Sequence, residues 1–442
     1  MIRLMFKQLW NQRRMNGWIF LEIILAGVFL WYTVDSAFVH TAVRMLPQGY
    51  TEESRYVIQL DSYKGNHGNF DPSATLEQRK DAIRRMMTTV RNLPEVESYY
   101  IAWQSMRPNS LSWSGGQFFP DTASVAENKY QHAQWFDVYE GEGSDFLYTL
   151  GCTDARTGQE MKMGKGASLT KHCYLSETFA RNMFGDADPI GQRVYVNKNR
   201  DESYVVQGVF KDIKTRDFQL PYCLIVQCTR KLPESPMIMV RLKEGVDGAK
   251  FASDFMTHTA PTLKGANLFI SDVRSLKELR KEFGVISNKY NQQRLIYSLI
   301  AFTLLCIFLG MVGTFWIRTN ARRQEIGLMR SMGASSRVIM RQFFCESGLL
   351  VTLGFLISLV VIANSLMMGE GMAQPLGGFE ASANVHYPIF NDLPHFIVVT
   401  LLCYVLLLGI SWVGTYIPVH RAAKVLPADA LHDESKPSRK FI

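Results

Sequence analysis

The chain has 442 residues, of which 47% are hydrophobic and 20% charged, and a net charge of +8. These averages exclude a disordered or low-complexity chain. The positive charge does not point to nucleic acid, because the basic residues cluster beside four apolar blocks, as on the cytoplasmic side of a membrane protein.

Residues 1–16 open the chain with Ile2, Met5, Phe6, Leu9 and Trp10 at helical spacing, and Arg3, Lys7 and Arg14 elsewhere. This pattern predicts a short amphipathic helix lying in the membrane interface. The first apolar block, Trp18–Phe38, predicts a transmembrane helix over 17–38. Its apolar core is too long for a signal peptide and no small-x-small cleavage site follows, so an uncleaved anchor is expected. Glu22 and Asp35 sit about one turn from its ends and read as carboxylates snorkelling to the interfaces.

Residues 39–290 are expected to form a large extracytoplasmic domain. Near its start, Tyr56–Leu60 and Val96–Trp103 read as strands around a helix with Leu76, Ile83, Met86, Met87 and Val90 on one face. Near its end, Met237–Leu242 and Asn267–Ile270 read as strands around a helix with Phe251, Ala252, Phe255 and Met256. Two such units predict an α+β sandwich with helices on one sheet face. Between them, about 120–232, lies an inserted β-rich subdomain. In it Ser176 is placed to cap a helix ending at Phe184, with Gly185 just beyond, and Arg193–Val196 and Ser203–Phe210 read as a hairpin. Cys223 and Cys228 are five apart in a strand and face opposite ways, whereas Cys152 and Cys173 flank a loop and can pair; the sequence leaves that bond open.

Three more apolar blocks follow, Leu295–Ile317, Gly348–Met368 and His395–Ile417, with Pro394 and Pro418 bracketing the last. Each is long enough to cross a ~30 Å hydrocarbon core. They divide the rest of the chain into a second span (291–318), a connecting segment (319–346), a third span (347–368), an external loop (369–394), a fourth span (395–417) and a tail (418–442). The fold class is therefore four transmembrane helices plus a large α+β domain inserted between spans one and two. Basic residues fall before span one, in 318–346 (Arg318, Arg322, Arg323, Arg330, Arg337, Arg341) and in the tail, while 369–394 has no Lys or Arg. Both termini and the 319–346 segment are expected in the cytoplasm.

The apolar blocks Leu295–Ile317, Gly348–Met368 and His395–Ile417 contain no Asp, Glu, Lys or Arg and no broken helix pair, which disfavours a secondary transporter or channel. No phosphate-loop, H-E-x-x-H or G-x-S-x-G motif occurs, and the histidines suggest no metal site. No catalytic centre, cofactor or metal is expected.

The most informative stretch is Thr319–Glu346, TNARRQEIGLMRSMGASSRVIMRQFFCE. Span two is expected to continue into it as a charged helix, Gly333 to break that helix, and Ser335 or Ser336 to cap the next. Ile326, Leu328 and Met329 among arginines make a hairpin suited to docking a partner. The run RRQEIGLMRSMGASSRVI resembles the coupling segment of MacB/FtsX-type ABC transporter permeases. The tail PVHRAAKVLPADALHDE is similar to the family's closing pattern, with Pro418, Ala422, Pro427, Ala428 and Leu431 in the matching places. SETFARNMFGDADPIGQRV followed by YVVQGVFKDI resembles the MacB-type periplasmic core. One departure is Gln324-Glu325 where the family has an Arg-Glu pair.

The resemblance implies an inner-membrane permease subunit, not itself an enzyme, driven by a separate ABC ATPase. The contact would fall on Arg322, Arg323, Glu325, Ile326, Gly327, Met329, Arg330, Met332, Gly333 and Ala334. It implies a second permease copy, as homodimer or homologous heterodimer, and for export a periplasmic adaptor and outer-membrane channel. Stiff helices would carry ATP-driven motion outward to move a peptide, small molecule or lipoprotein. The alternatives are an FtsX-like regulatory subunit that activates an extracytoplasmic cell-wall hydrolase, and a membrane receptor without an ATPase.

Overall fold

The computed structural model describes residues 13–104, 106–112, 114–141, 143–164, 171–196, 202–221, 223–234, 236–368 and 392–423. The expected interfacial helix up to residue 12, the 369–391 loop and the tail from 424, with Pro427, Ala428 and Leu431, lie outside them. In chain order, α1 (Arg13–Met45) precedes β1 (Arg55–Ser62), α2 (Leu76–Arg91), β2 (Val96–Trp103), β3 (Gly115–Phe119), α3 (Thr122–Glu127), β4 (Gln131–Tyr139) and α4 (Phe146–Leu150). Then come β5 (His172–Ser176), α5 (Glu177–Phe184), β6 (Arg193–Val196), β7 (Ser203–Phe210), β8 (Leu224–Thr229), β9 (Pro236–Leu242), α6 (Gly248–Asp254) and β10 (Leu268–Ser275). The chain continues with α7 (Leu276–Ile286), α8 (Lys289–Ala321), α9 (Arg323–Ser331), α10 (Ser336–Met367) and α11 (Asp392–Ala422). Two compact units result: the extracytoplasmic domain, over 42–290, and a helical unit containing the four long apolar helices.

The domain is built on one sheet in the order β10-β1-β9-β2-β4-β3-β6-β7-β5-β8. The four strands β10, β1, β9 and β2 are antiparallel neighbours. A further parallel pairing of β4 with β8 closes the last six strands into a ring, which leaves those strands no open edge. Helices cover both faces of the four-stranded part, not one. Alternation along the strands explains this, because both sets of side chains are apolar. Ile58, Ile101, Ile238 and Val240 meet α2 through Ile83, Met86, Met87 and Val90. Val57, Tyr100, Met237 and Met239 meet Phe146, Leu147 and Leu150 of α4 and Leu276 and Leu279 of α7. Capping boxes start α2 (Thr75 with Gln78) and α7 (Ser275 with Glu278), satisfying amide groups a helix start leaves open.

Ser176 does precede α5 but does not cap it; its Oγ accepts from the Leu224 amide at 3.0 Å and ties β5 to β8. Cys152 and Cys173 are free thiols buried in separate clusters, so the loop between them is not closed by a disulfide. Burial pushes the Cys152 thiol up to about 12. Lys214 is also buried; its Nζ donates to the Val43 carbonyl at 2.8 Å, and desolvation lowers its ammonium to about 8.

In the helical unit Trp31, Met311, Phe315, Phe343, Phe355, Val399 and Leu407 form a continuous core. Small residues allow close helix approach, as at membrane helix contacts generally. A Cβ on Gly27 would lie 2.6 Å from Ser358 Oγ, and one on Gly354 would lie 2.7 Å from Ile23. Ser358 Oγ donates across to the Ile24 carbonyl, and Trp31 Nε1 donates to Thr400. The outward side chains Leu25, Leu305, Leu309, Val360, Leu401 and Val405 are exposed and apolar, a surface suited to lipid.

Two expectations for the first span are corrected. Asp35 does not snorkel: it is 1% exposed and its Oδ1 lies 2.5 Å from His395 Nε2 on α11. Glu22 lies against α8, where a Cβ on Gly310 would come within 1.9 Å of its carboxylate. Both carboxylates turn into the helix bundle because neighbouring helices offer a partner or a gap that a single helix does not show. Pro418 does not end the fourth helix either; α11 runs through it to Ala422. Gly414, one turn earlier, packs against Met311 and the Phe308 carbonyl of α8.

Candidate functional site

The segment expected to dock a partner is a helical hairpin, but not a simple continuation of span two. The helix α8 stops at Ala321 and Arg322 leaves helical geometry at φ −105°, ψ 16°. The short α9 therefore starts in a new direction. It ends at Gly333, which has φ +91°. There the Ala334 amide bonds the Met329 carbonyl and the Gly333 amide bonds that of Arg330. This is a Schellman closure, and its left-handed residue strongly favours glycine. Next, α10 starts after Ser335, which makes no side-chain cap.

The hairpin is held at two points. Ala423, just past α11, presents its carbonyl to Arg330 Nη1 at 2.7 Å and to Ser336 Oγ at 3.0 Å. A helix end leaves carbonyls without intrahelical donors, and an arginine is a strong partner for one. The tail residues Pro418 and Ala422 thus belong to the helix whose end braces the hairpin. The second point is a buried ion network. Glu346 of α10, 1% exposed, accepts from Arg318 Nη2 at 3.3 Å and from Arg322 Nη1 at 3.1 Å. Arg322 Nε also reaches Glu325 at 2.8 Å, and the two guanidinium groups stack over Phe315 and Phe343. The buried part sets one glutamate against two arginines, and Glu325, 60% exposed, supplies the second negative charge from the surface.

The sequence-derived site residues therefore separate by exposure. Arg322, Ile326 and Gly327 are buried, and Ile326 packs into the helical core with Ile339, Phe343 and Val419, contrary to its expected exposure. Arg323, Met329, Arg330 and Ala334 are half-buried. Glu325, Met332 and Gly333 face outward. Leu328 and Val338 join them, both more than half exposed. The outer face is thus Glu325, Leu328, Met332 and Val338, acidic at one end and apolar along the rest.

The FtsX-like permease C-terminal family model matches residues 297–427, which contain this hairpin and both of its anchor points. The MacB macrolide export ATP-binding/permease protein of Campylobacter fetus is 28% identical over 287 residues, 61% of this chain and 41% of that one. An ABC transporter permease of Methanocaldococcus jannaschii is 23% identical over 267 residues, 59% of this chain and 62% of that one. Residues 297–427 thus form an FtsX-like permease C-terminal region, and the chain is similar to MacB-type ABC transporter permeases. A weaker relative is the lipoprotein-releasing system transmembrane protein LolC of Neisseria meningitidis, 23% identical over 154 residues, 32% of this chain and 35% of that one. The periplasmic region of MacB from Actinobacillus actinomycetemcomitans aligns over 55% of this chain and 97% of its own with TM-score 0.33 and 13% identity. The permease spans 29% to 62% of the length of the first curated relatives it matches.

Reading the sequence alone missed the core of the permease's hairpin. In the sequence Arg318 reads as one basic residue among several and Glu346 only as the end of the segment, and Leu328 is grouped with the buried Ile326. The available signal was spacing. Glu325, Leu328 and Met332 repeat at i, i+3, i+7, while Arg322, Ile326 and Met329 occupy the opposite side of the same helix. Among the described residues no group of three or more His, Cys, Asp or Glu is placed to hold a metal.

Proposed function

We propose that this permease transmits ATP-driven motion from a separate ATPase subunit to its extracytoplasmic domain, to export a small molecule, peptide or lipoprotein. One observation carries the reading: an exposed face of Glu325, Leu328, Met332 and Val338 stands on a hairpin pinned by Ala423 and Glu346. A face that is apolar and rigidly backed can receive a push without yielding. The hairpin and both termini are cytoplasmic in this reading, which agrees with the basic residues around them. A second permease copy completes the assembly around an ATPase dimer.

The long helices suit transmission. With 33 residues each, α1 and α8 are about 50 Å long, well beyond a ~30 Å core, and in sequence they flank the domain on either side. The relatives named for macrolide export and lipoprotein release support a transport substrate without choosing between them. Purification of the full chain from native membranes tests the reading. A Walker A protein should be retained by the wild type and lost with Leu328→Asp. Retention undiminished by Leu328→Asp would refute this face as the contact.

A further inference from the structure

Arg337 and Arg341 lie one turn apart on the same side of α10, both exposed. Neither joins an ion pair or hydrogen bond among the described residues, and α10 has no acidic residue in its first turn. Two cations near a helix N-terminus oppose the helix dipole, so an anion beside them is favoured on both counts. They stand at the mouth of a groove of about 470 Å³ between α10 and α11.

Along the groove the chemistry changes. Beyond the arginines its walls are Cys345, Gly348, Leu408 and Trp412. Gly348 makes the furrow: a Cβ there would already touch Trp412 Nε1 at 3.5 Å and Leu408 at 3.6 Å, and a longer side chain would fill it. Trp412 is held as a wall, its Nε1 donating to the Phe344 carbonyl at 3.3 Å. Thr352 and Tyr404 bond each other at 2.9 Å at the far end, so the polar atoms there are satisfied. From Arg341 to Thr352 the helix rises about 16 Å, roughly half of the hydrocarbon thickness.

We propose that this groove binds an anionic phospholipid, with its phosphate on Arg337 and Arg341 and one acyl chain laid past Gly348 toward Tyr404. Unpaired cations at the mouth and an apolar furrow one leaflet deep match that one amphiphile. A free phosphate would use only the mouth. The inference does not depend on the transport reading, since it concerns the lipid side of the bundle.

Native mass spectrometry of the full chain in detergent, with added palmitoyl-oleoyl phosphatidylglycerol or phosphatidylcholine, tests it. Phosphatidylglycerol should be retained in preference. Arg337→Gln with Arg341→Gln should cut its retention about tenfold, the loss expected for charge-assisted hydrogen bonds, while the double lysine variant keeps most of it. Gly348→Leu should lower phosphatidylglycerol retention with both arginines in place. Equal retention of the two lipids by the wild type would overturn the proposal. So would unchanged retention in the double glutamine variant, or displacement of phosphatidylglycerol by millimolar inorganic phosphate, which would mark an anion site without a lipid furrow.

Discussion

Replacing Glu346 with leucine isolates the ion network that pins the hairpin. Glu346 contacts both Arg318 and Arg322, and these three side chains are at most 5% exposed. Removing one partner of a buried pair leaves uncompensated charge and costs about 3–5 kcal/mol. The remaining Arg322–Glu325 pair offsets little of this, because Glu325 is 60% exposed and exposed pairs contribute only about 0–1 kcal/mol. At about 1.4 kcal/mol per decade, amides of α9 and the start of α10 should lose two to three decades of hydrogen-exchange protection. A triple variant, Arg318→Met, Arg322→Met and Glu346→Leu, should recover most of it, because apolar replacement of a whole buried network is often neutral. A change under tenfold in the single variant would refute the network as the hairpin's anchor. A triple variant worse than the single would show that the charges are needed for more than mutual compensation.

Glu325→Lys should abolish ATPase retention while leaving the urea unfolding of the extracytoplasmic domain unchanged, since its carboxylate is mostly in solvent; unchanged retention would count against it. Gly333→Ala forces a Cβ into φ +91° and should cost about 1–2 kcal/mol of local hairpin stability, read as faster exchange in α9. Lys214 supplies a pH test. Its folded ammonium titrates near 8, below the usual lysine range, so across roughly pH 8 to 10.4 the unfolded chain holds a proton that the folded chain has released. Stability must then rise with pH in that window, and Lys214→Met should remove the rise in urea unfolding of the full chain. Alkylation of the denatured, unreduced chain should modify Cys152 and Cys173, whereas protection of the pair would reveal a disulfide.

Much of the architecture was legible in the chain itself. Four apolar runs of membrane length define spans because no other environment accepts them, and period-two and helical patterns mark the strands and α2 of the domain. The hairpin was legible too, since Gly333 and the basic run around it are local features. What the sequence could not decide was which neighbour each ambiguous side chain would meet. Asp35 and His395 are 360 residues apart in the chain, and only the approach of α11 to α1 makes them a buried pair. Ile326 and Leu328 look alike in composition, yet α9 leaves α8 at Arg322 in a direction that buries one in the helical core and exposes the other. Local sequence determines which segments are helices and where they turn. Pairing, burial and the exposed face of the hairpin depend on helix packing, whose contacts join residues far apart in the chain.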